Sequence, residues 1–183
     1  KQLTSGTTWH AAGLIGQLRA SANMTKLAKY TQELYFDLEK ETGVSTGFKR
    51  VGSISVALTN ERMEELKRSA AMARAFGVDV EEISPREIQK RYPHINLERV
   101  VGGVFLGKDG QGDPANIALA LAKGARQLGA KIHERVTVKK VFKNQNKVIG
   151  LEWIDENGDR GHIACEEIVN CAGMWGHSVG KML

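Results

Sequence analysis

Leu3-Thr4-Ser5-Gly6-Thr7-Thr8-Trp9-His10-Ala11-Ala12-Gly13-Leu14 gathers small and hydroxylated residues around one Trp-His pair. Gly6 and Gly13 permit close backbone approach and unusual φ, while Thr4, Ser5, Thr7 and Thr8 offer hydroxyls and exposed N–H groups to phosphate or polyol oxygens. This composition predicts a loop that lies against an oxygen-rich small molecule, with His10 placed to touch it. A histidine standing alone is weak evidence, because most such residues are ordinary loop histidines.

Around this loop lie 183 residues, 42% hydrophobic and 26% charged, enough for one core and ordinary for a globular chain; one domain is the expectation. The formal charge of +5 comes from basic residues scattered along the chain, adjacent only as the separate pairs Lys49-Arg50, Lys67-Arg68, Lys90-Arg91 and Lys139-Lys140 and never in a longer run. Aromatic residues make up 6% and do not interleave with basic clusters, so no stacking platform for nucleic acid is expected. Cys165 and Cys171 match no zinc or redox spacing and favour a reducing compartment. No run approaches 18 apolar residues, so neither a membrane span nor a signal peptide is read, and the chain opens on Lys1 as if cut from something longer.

Past the loop, Ser21 to Glu41 predicts an amphipathic helix with Leu27, Tyr30, Thr31, Leu34 and Leu38 on its buried face and Gly43 as the stop. Residues 47–50 and 53–57 predict a hairpin around Val51-Gly52. Asn60 is expected to cap a helix to Phe76, and Ser84-Pro85-Arg86-Glu87 is a capping box for a short helix to Arg91. Residues 102–106 read as a strand, and Asp113 caps a helix from Pro114 to Leu128. The remainder predicts strands at 131–134, 136–143, 148–154, 160–164 and 167–171, with a tight turn at Glu156-Asn157-Gly158-Asp159. No internal repeat or low-complexity linker is found.

Taken whole, Thr7-Thr8-Trp9-His10-Ala11-Ala12-Gly13 resembles the flavin-attachment segment of sarcosine and dimethylglycine dehydrogenases, within the glycine-oxidase and D-amino-acid-oxidase group. The resemblance implies FAD, bonded from a ring nitrogen of His10 to the 8α-methyl carbon. An imidazole suits that bond, since its neutral form keeps a lone pair free. It also implies that Gly6, Thr7, Thr8, Trp9, Ala11, Ala12, Gly13 and Leu14 line the flavin and its ribityl-phosphate chain. By the same resemblance the backbone of Val138 faces adenine and Gly173, after the apolar run Ile168-Val169-Asn170-Cys171-Ala172, approaches the cofactor. Without it, Val138 is an ordinary strand valine and the chain end an ordinary core strand with a glycine turn. No general base is named, and His94, His133, His162 and His177 read as surface or structural residues with no metal site.

The implied fold is α/β (an α+β fragment): a substrate domain with part of a two-dinucleotide-binding-fold FAD domain. Residues 1–20 would be the attachment loop, 21–130 a mainly helical substrate region, and 131–183 a β-rich return to the FAD domain. The Gly-x-Gly-x-x-Gly unit that opens such domains does not occur before Leu3, so the chain is expected to lack the first βαβ unit and to bind FAD poorly by itself. The implied reaction is demethylation of a small N-methyl amine, sarcosine or dimethylglycine, by hydride transfer to flavin N5. Electrons would pass to oxygen or an electron-transfer flavoprotein, and the one-carbon unit to water or, through a further domain, to tetrahydrofolate. The bacterial cytoplasm or the mitochondrial matrix would house it. Other readings of the same fold are a glycine- or betaine-type oxidase and a silent homologue like the regulatory subunit of pyruvate dehydrogenase phosphatase. The intact Trp9-His10 pair argues against the silent homologue.

Overall fold

Ser21 and Gly43 bracket the longest helix, α1 (Ala22–Thr42): the Ser21 hydroxyl accepts from the Met24 N–H, and Gly43 takes the left-handed φ of 70° that closes the last turn. The computed structural model describes residues 1–182 and contains two compact units, Gly6–Ala130 and Lys1–Ser5 with residues 131–182. The architecture is mixed α/β, as the sequence predicts. The buried face of α1 matches the expected one only in part. Leu38 is buried and Thr31 and Leu34 are half-buried as expected, but Leu27 and Tyr30 are exposed, and the polar Thr25, Gln32 and Thr42 are buried. Polar residues succeed there because they are partnered: Thr25 Oγ1 accepts from the Arg19 N–H (3.0 Å) and donates to the Arg19 carbonyl (3.2 Å).

The larger unit is built on an antiparallel three-stranded sheet of order β2 (Ser53–Ala57), β4 (Gly102–Leu106), β3 (Glu81–Ile83). Helix α2 (Asn60–Ala75) covers one face, burying Leu66, Ala70 and Ala73 against Ala57, Val104 and Leu106. Helix α3 (Pro85–Arg91) places Ile88 with Ile83 and Val100 in a second cluster, beside Ile54, Val56 and Phe105. The cap of α2 is Thr59, one residue before the expected Asn60, with its hydroxyl accepting from the Arg62 N–H. The box at α3 forms as read: Ser84 Oγ accepts from the Glu87 N–H and Glu87 Oε2 accepts from the Ser84 N–H. The Ser84 N–H, and then its hydroxyl, hold the Glu87 carboxyl below the usual carboxylate range.

The predicted hairpin at 47–57 does not form. Strand β2 pairs with β4, while Lys49 exchanges both backbone hydrogen bonds with Gln111 in β5 (Gly110–Gln111). Gly52 separates the two segments. Its φ is 78°, its N–H donates to the Asp109 carbonyl, and a Cβ there would lie 2.2 Å from the Phe105 ring, so the chain is held in a bend instead of a turn. Helix α4 (Pro114–Gln127) starts as expected on Asp113, whose carboxylate accepts from the Asn116 N–H, and packs on α1.

The other unit is an antiparallel meander of β6 (Thr137–Asn144), β7 (Lys147–Ile154) and β8 (Arg160–Ala164), turning at Gly158 with φ 89°. Two predicted strands are absent. At 131–134 the chain instead meets the N-terminal residues through the Leu3 N–H to Glu134 Oε1 (2.6 Å) and the Arg135 N–H to the Lys1 carbonyl (2.9 Å), and Arg135 takes a positive φ of 58° before β6 begins. At 167–171 the apolar run finds no partner strand among the described residues. Val169 is 83% exposed, and Asn170 folds back on the Ala172 N–H and the Gly176 carbonyl instead. Short helix α5 (Gly176–Gly180) follows.

Candidate functional site

The quoted loop becomes a single 3-10 turn at Thr8–His10, held by the His10 N–H to the Thr7 carbonyl and the Ala11 N–H to the Thr8 carbonyl (both 3.1 Å). The turn buries none of its residues, so it presents side chains outward. The Trp9 and His10 rings stack at 3.8 Å between centroids with planes tilted by 34°, and Trp9 remains 59% exposed. Among the described residues neither ring nitrogen of His10 has a hydrogen-bond partner. A free, outward imidazole steadied by an indole is chemically able to form a bond to an electrophilic carbon.

After the turn, Gly13 and Leu14 lead into β1 (Leu14–Ile15), which pairs antiparallel with β5. Gly13 has φ 73°, its carbonyl accepts from the Gly112 N–H at 2.9 Å, and a Cβ on it would lie 2.1 Å from the Gly112 oxygen. Gly6 meets nothing within 4 Å of such a Cβ, and therefore leaves room beside the turn. Thr8, Ala11, Gly13 and Leu14 line a cleft of about 260 Å³ walled by Tyr35 of α1 and Ile117 of α4.

Asp109 anchors this region, although in sequence it reads only as a turn residue. It is buried to 6% exposure, with Oδ1 accepting from the Gln17 N–H (2.9 Å) and Oδ2 from the Ser53 hydroxyl (2.7 Å), so one carboxylate ties the end of β1 to the start of β2. Gln17 Nε2 in turn donates to Gln32 Oε1 at 2.7 Å, joining β1 to α1. Asp109→Ala would leave the Gln17 N–H and Ser53 hydroxyl without an acceptor. Since a lost bond to a charged group costs about 1.5–3 kcal/mol, a loss of about 3 kcal/mol is expected in urea unfolding.

Val138 and Gly173 lie in the other unit. Val138 pairs with Trp153 beside a bulge in β6, and shares an apolar groove with Trp153, Leu151 and Ile163. Gly173 has φ 54° with open space around its Cβ position, at the start of a 3-10 turn. Arg19, the only Lys, Arg, Asp or Glu between Lys1 and Lys26, lines a cleft with Leu14, Ile15 and Met24.

The family model described as FAD dependent oxidoreductase matches residues 1–183. Human mitochondrial sarcosine dehydrogenase is 36% identical over 188 residues, covering 100% of this chain and 20% of the relative. The mouse mitochondrial pyruvate dehydrogenase phosphatase regulatory subunit is 37% identical over 179 residues, covering 98% of this chain and 20% of the relative. The chain thus spans about a fifth of the length of these curated relatives. Among solved structures, L-proline dehydrogenase from P. horikoshii superposes with a TM-score of 0.88 at 25% identity, over 97% of this chain and 46% of that one.

Proposed function

This chain belongs to the DAO family of FAD-dependent oxidoreductases, and from that membership we propose that it is the flavin-attachment and substrate-side part of an enzyme that demethylates a small N-methyl amino acid such as sarcosine or dimethylglycine. The observation that carries the reading is His10, an outward imidazole with both nitrogens free in a segment that resembles a flavin-attachment loop. FAD, when bound, supplies the oxidising power by accepting a hydride equivalent from the N-methyl carbon. Water then adds to the resulting iminium, releasing formaldehyde and the demethylated amine.

In this reading a ring nitrogen of His10 holds the flavin, while Trp9 keeps the imidazole oriented and the Gly6 position gives the cofactor backbone-close access. Thr7 and Thr8 offer hydroxyls, and Ala11, Ala12, Gly13 and Leu14 complete the lining. Val138 and Gly173 meet the adenine and pyrophosphate side. Residues 1–20 form the attachment loop, 21–130 the substrate region and 131–183 the return to the FAD domain. Among the described residues no helix is long and apolar enough to cross a membrane, and the compartment proposed is the bacterial cytoplasm or the mitochondrial matrix.

A second reading has its own support: the similarity to a phosphatase regulatory subunit fits a chain that keeps the fold without the reaction. Anaerobic mixing of the full-length protein with each amine separates the two. Flavin absorbance is expected to bleach with sarcosine or dimethylglycine, and about 10- to 200-fold less efficiently with glycine, since shape discrimination of one methyl is worth about 1–3 kcal/mol. Equal bleaching by glycine would point to a glycine-type oxidase. No bleaching by any small amine would favour the regulatory reading.

A further inference from the structure

Of the eight asparagines in this chain, Asn157 alone is followed by glycine. A side-chain amide and the next backbone nitrogen can close a five-membered ring, and a glycine leaves that nitrogen unshielded. The pair sits in the turn between β7 and β8, where every residue from Glu156 to Arg160 is exposed. Gly158 takes a φ of 89°, and a Cβ built on it would meet nothing within 4 Å. Among the described residues the Asn157 side chain makes no hydrogen bond, and the Gly158 N–H donates across a long 3.3 Å to the Asp155 carbonyl. Both reacting groups are therefore weakly held and open to water.

Asp109-Gly110 is the other dipeptide of the chain that could close such a ring at a glycine, and there the structure blocks it. Asp109 is buried, and its two carboxylate oxygens are taken by the Gln17 N–H and the Ser53 hydroxyl. Gly110 is paired with Ile15, and the Lys49 carbonyl oxygen is pressed against its Cβ position.

We propose that Asn157 is a modification site, the point at which this protein deamidates while folded. Base removes the Gly158 N–H proton, and the nitrogen attacks Asn157 Cγ. The Cγ–Nδ2 bond breaks and the amide nitrogen leaves with a proton as ammonia, so a succinimide remains. Water then opens the ring. Opening at Cγ gives aspartate; opening at the main-chain carbonyl gives isoaspartate, in which the chain runs through Cγ. No electron is transferred: one water enters and one ammonia leaves.

The two products act differently on the turn. Asp155 Oδ1 accepts from the Asn157 and Asp159 N–H groups at 2.9 Å each, and the Asp155 N–H donates to the Asp159 carbonyl at 3.0 Å. Aspartate keeps this backbone and adds a charge beside Asp155, Glu156 and Asp159. Isoaspartate inserts a methylene into it, so the Asp155 bonds and the adjoining Ile154–Arg160 pairing lose their register. Nothing in this chemistry depends on the demethylase reading.

The test ages the full-length protein in warm, mildly alkaline buffer, one sample folded and one in urea. Trypsin then releases residues 148–160, whose one side-chain amide is Asn157. Mass spectrometry is expected to show this peptide exchanging NH2 for OH in both samples, faster as pH rises, and isoaspartyl methyltransferase should methylate part of it. In the folded sample the peptides carrying the other seven asparagines of residues 1–183 should stay unchanged, and Asp109 should isomerise in urea alone. Aged folded protein should also lose hydrogen-exchange protection in β8, and Asn157→Ser should abolish both the modification and that loss. An unmodified 148–160 peptide from folded protein, or modification spread evenly over the asparagines, would overturn the site. Isoaspartate without faster exchange in β8 would overturn its effect on the turn.

Discussion

His10→Ala in the full-length protein is expected to remove all flavin that survives denaturation while leaving a fraction of FAD bound in the native state. The C–N bond outlasts unfolding, whereas a non-covalent flavin leaves as soon as its pocket opens, so acid-precipitated protein separates the two. The alanine variant keeps the 3-10 turn because its backbone hydrogen bonds do not involve the imidazole. It also keeps Trp9, Thr7 and Thr8 as non-covalent contacts. Denatured wild type should fluoresce yellow on a gel and denatured His10→Ala should not. Fluorescence that persists in the variant would move the attachment to another residue, and its absence from both would remove the covalent link from the proposal.

How far the sequence could be read depended on whether the controlling interaction was local. Ser21, Ser84, Asp113 and Gly43 act on their own helix ends, and each was legible because a cap needs only neighbours within a few residues. The meander at 137–164 was legible for the same reason, its strands being joined by short turns. Long-range partners were not legible. Lys49 pairs with Gln111 instead of forming a hairpin with residues 53–57, and nothing within the 47–57 segment announces a partner some sixty residues away. The α1 face was legible at Leu38 but not at Thr25 and Gln32, because burial there follows hydrogen bonding from Gln17 to Gln32 and from Arg19 to Thr25, which a hydrophobic period does not register. At the candidate site, His10 was visible through its resemblance, but Asp109 was hidden in a turn-rich run because its importance lies in reaching Gln17 and Ser53.

Gly13→Ala is expected to destabilise the larger unit by about 3 kcal/mol or more, and Gly6→Ala by less than about 0.5 kcal/mol. The sequence treats these two glycines alike, as permissive points of one loop; the structure separates them. At Gly13 the φ of 73° costs an L-residue about 1–2 kcal/mol, and the new Cβ would sit 2.1 Å from the Gly112 oxygen. Relief is hard to find, because that oxygen is backbone and the Gly112 N–H is bonded to Gly13 itself. Gly112 cannot yield easily either: its own Cβ position lies 2.9 Å from Ile117 Cδ1 and 3.1 Å from Ile15 Cδ1. The strain therefore falls on the β1 to β5 pairing, the two-residue ladder that seats the attachment loop. Gly6, with open space and no positive φ, transmits nothing of the kind. Urea unfolding of the two variants measures the difference, and flavin attachment in the full-length protein should fall with Gly13→Ala as β1 loosens. Equal stability of the two variants would show that the loop bends independently of β5, and that the position of His10 is set by something other than this crossing.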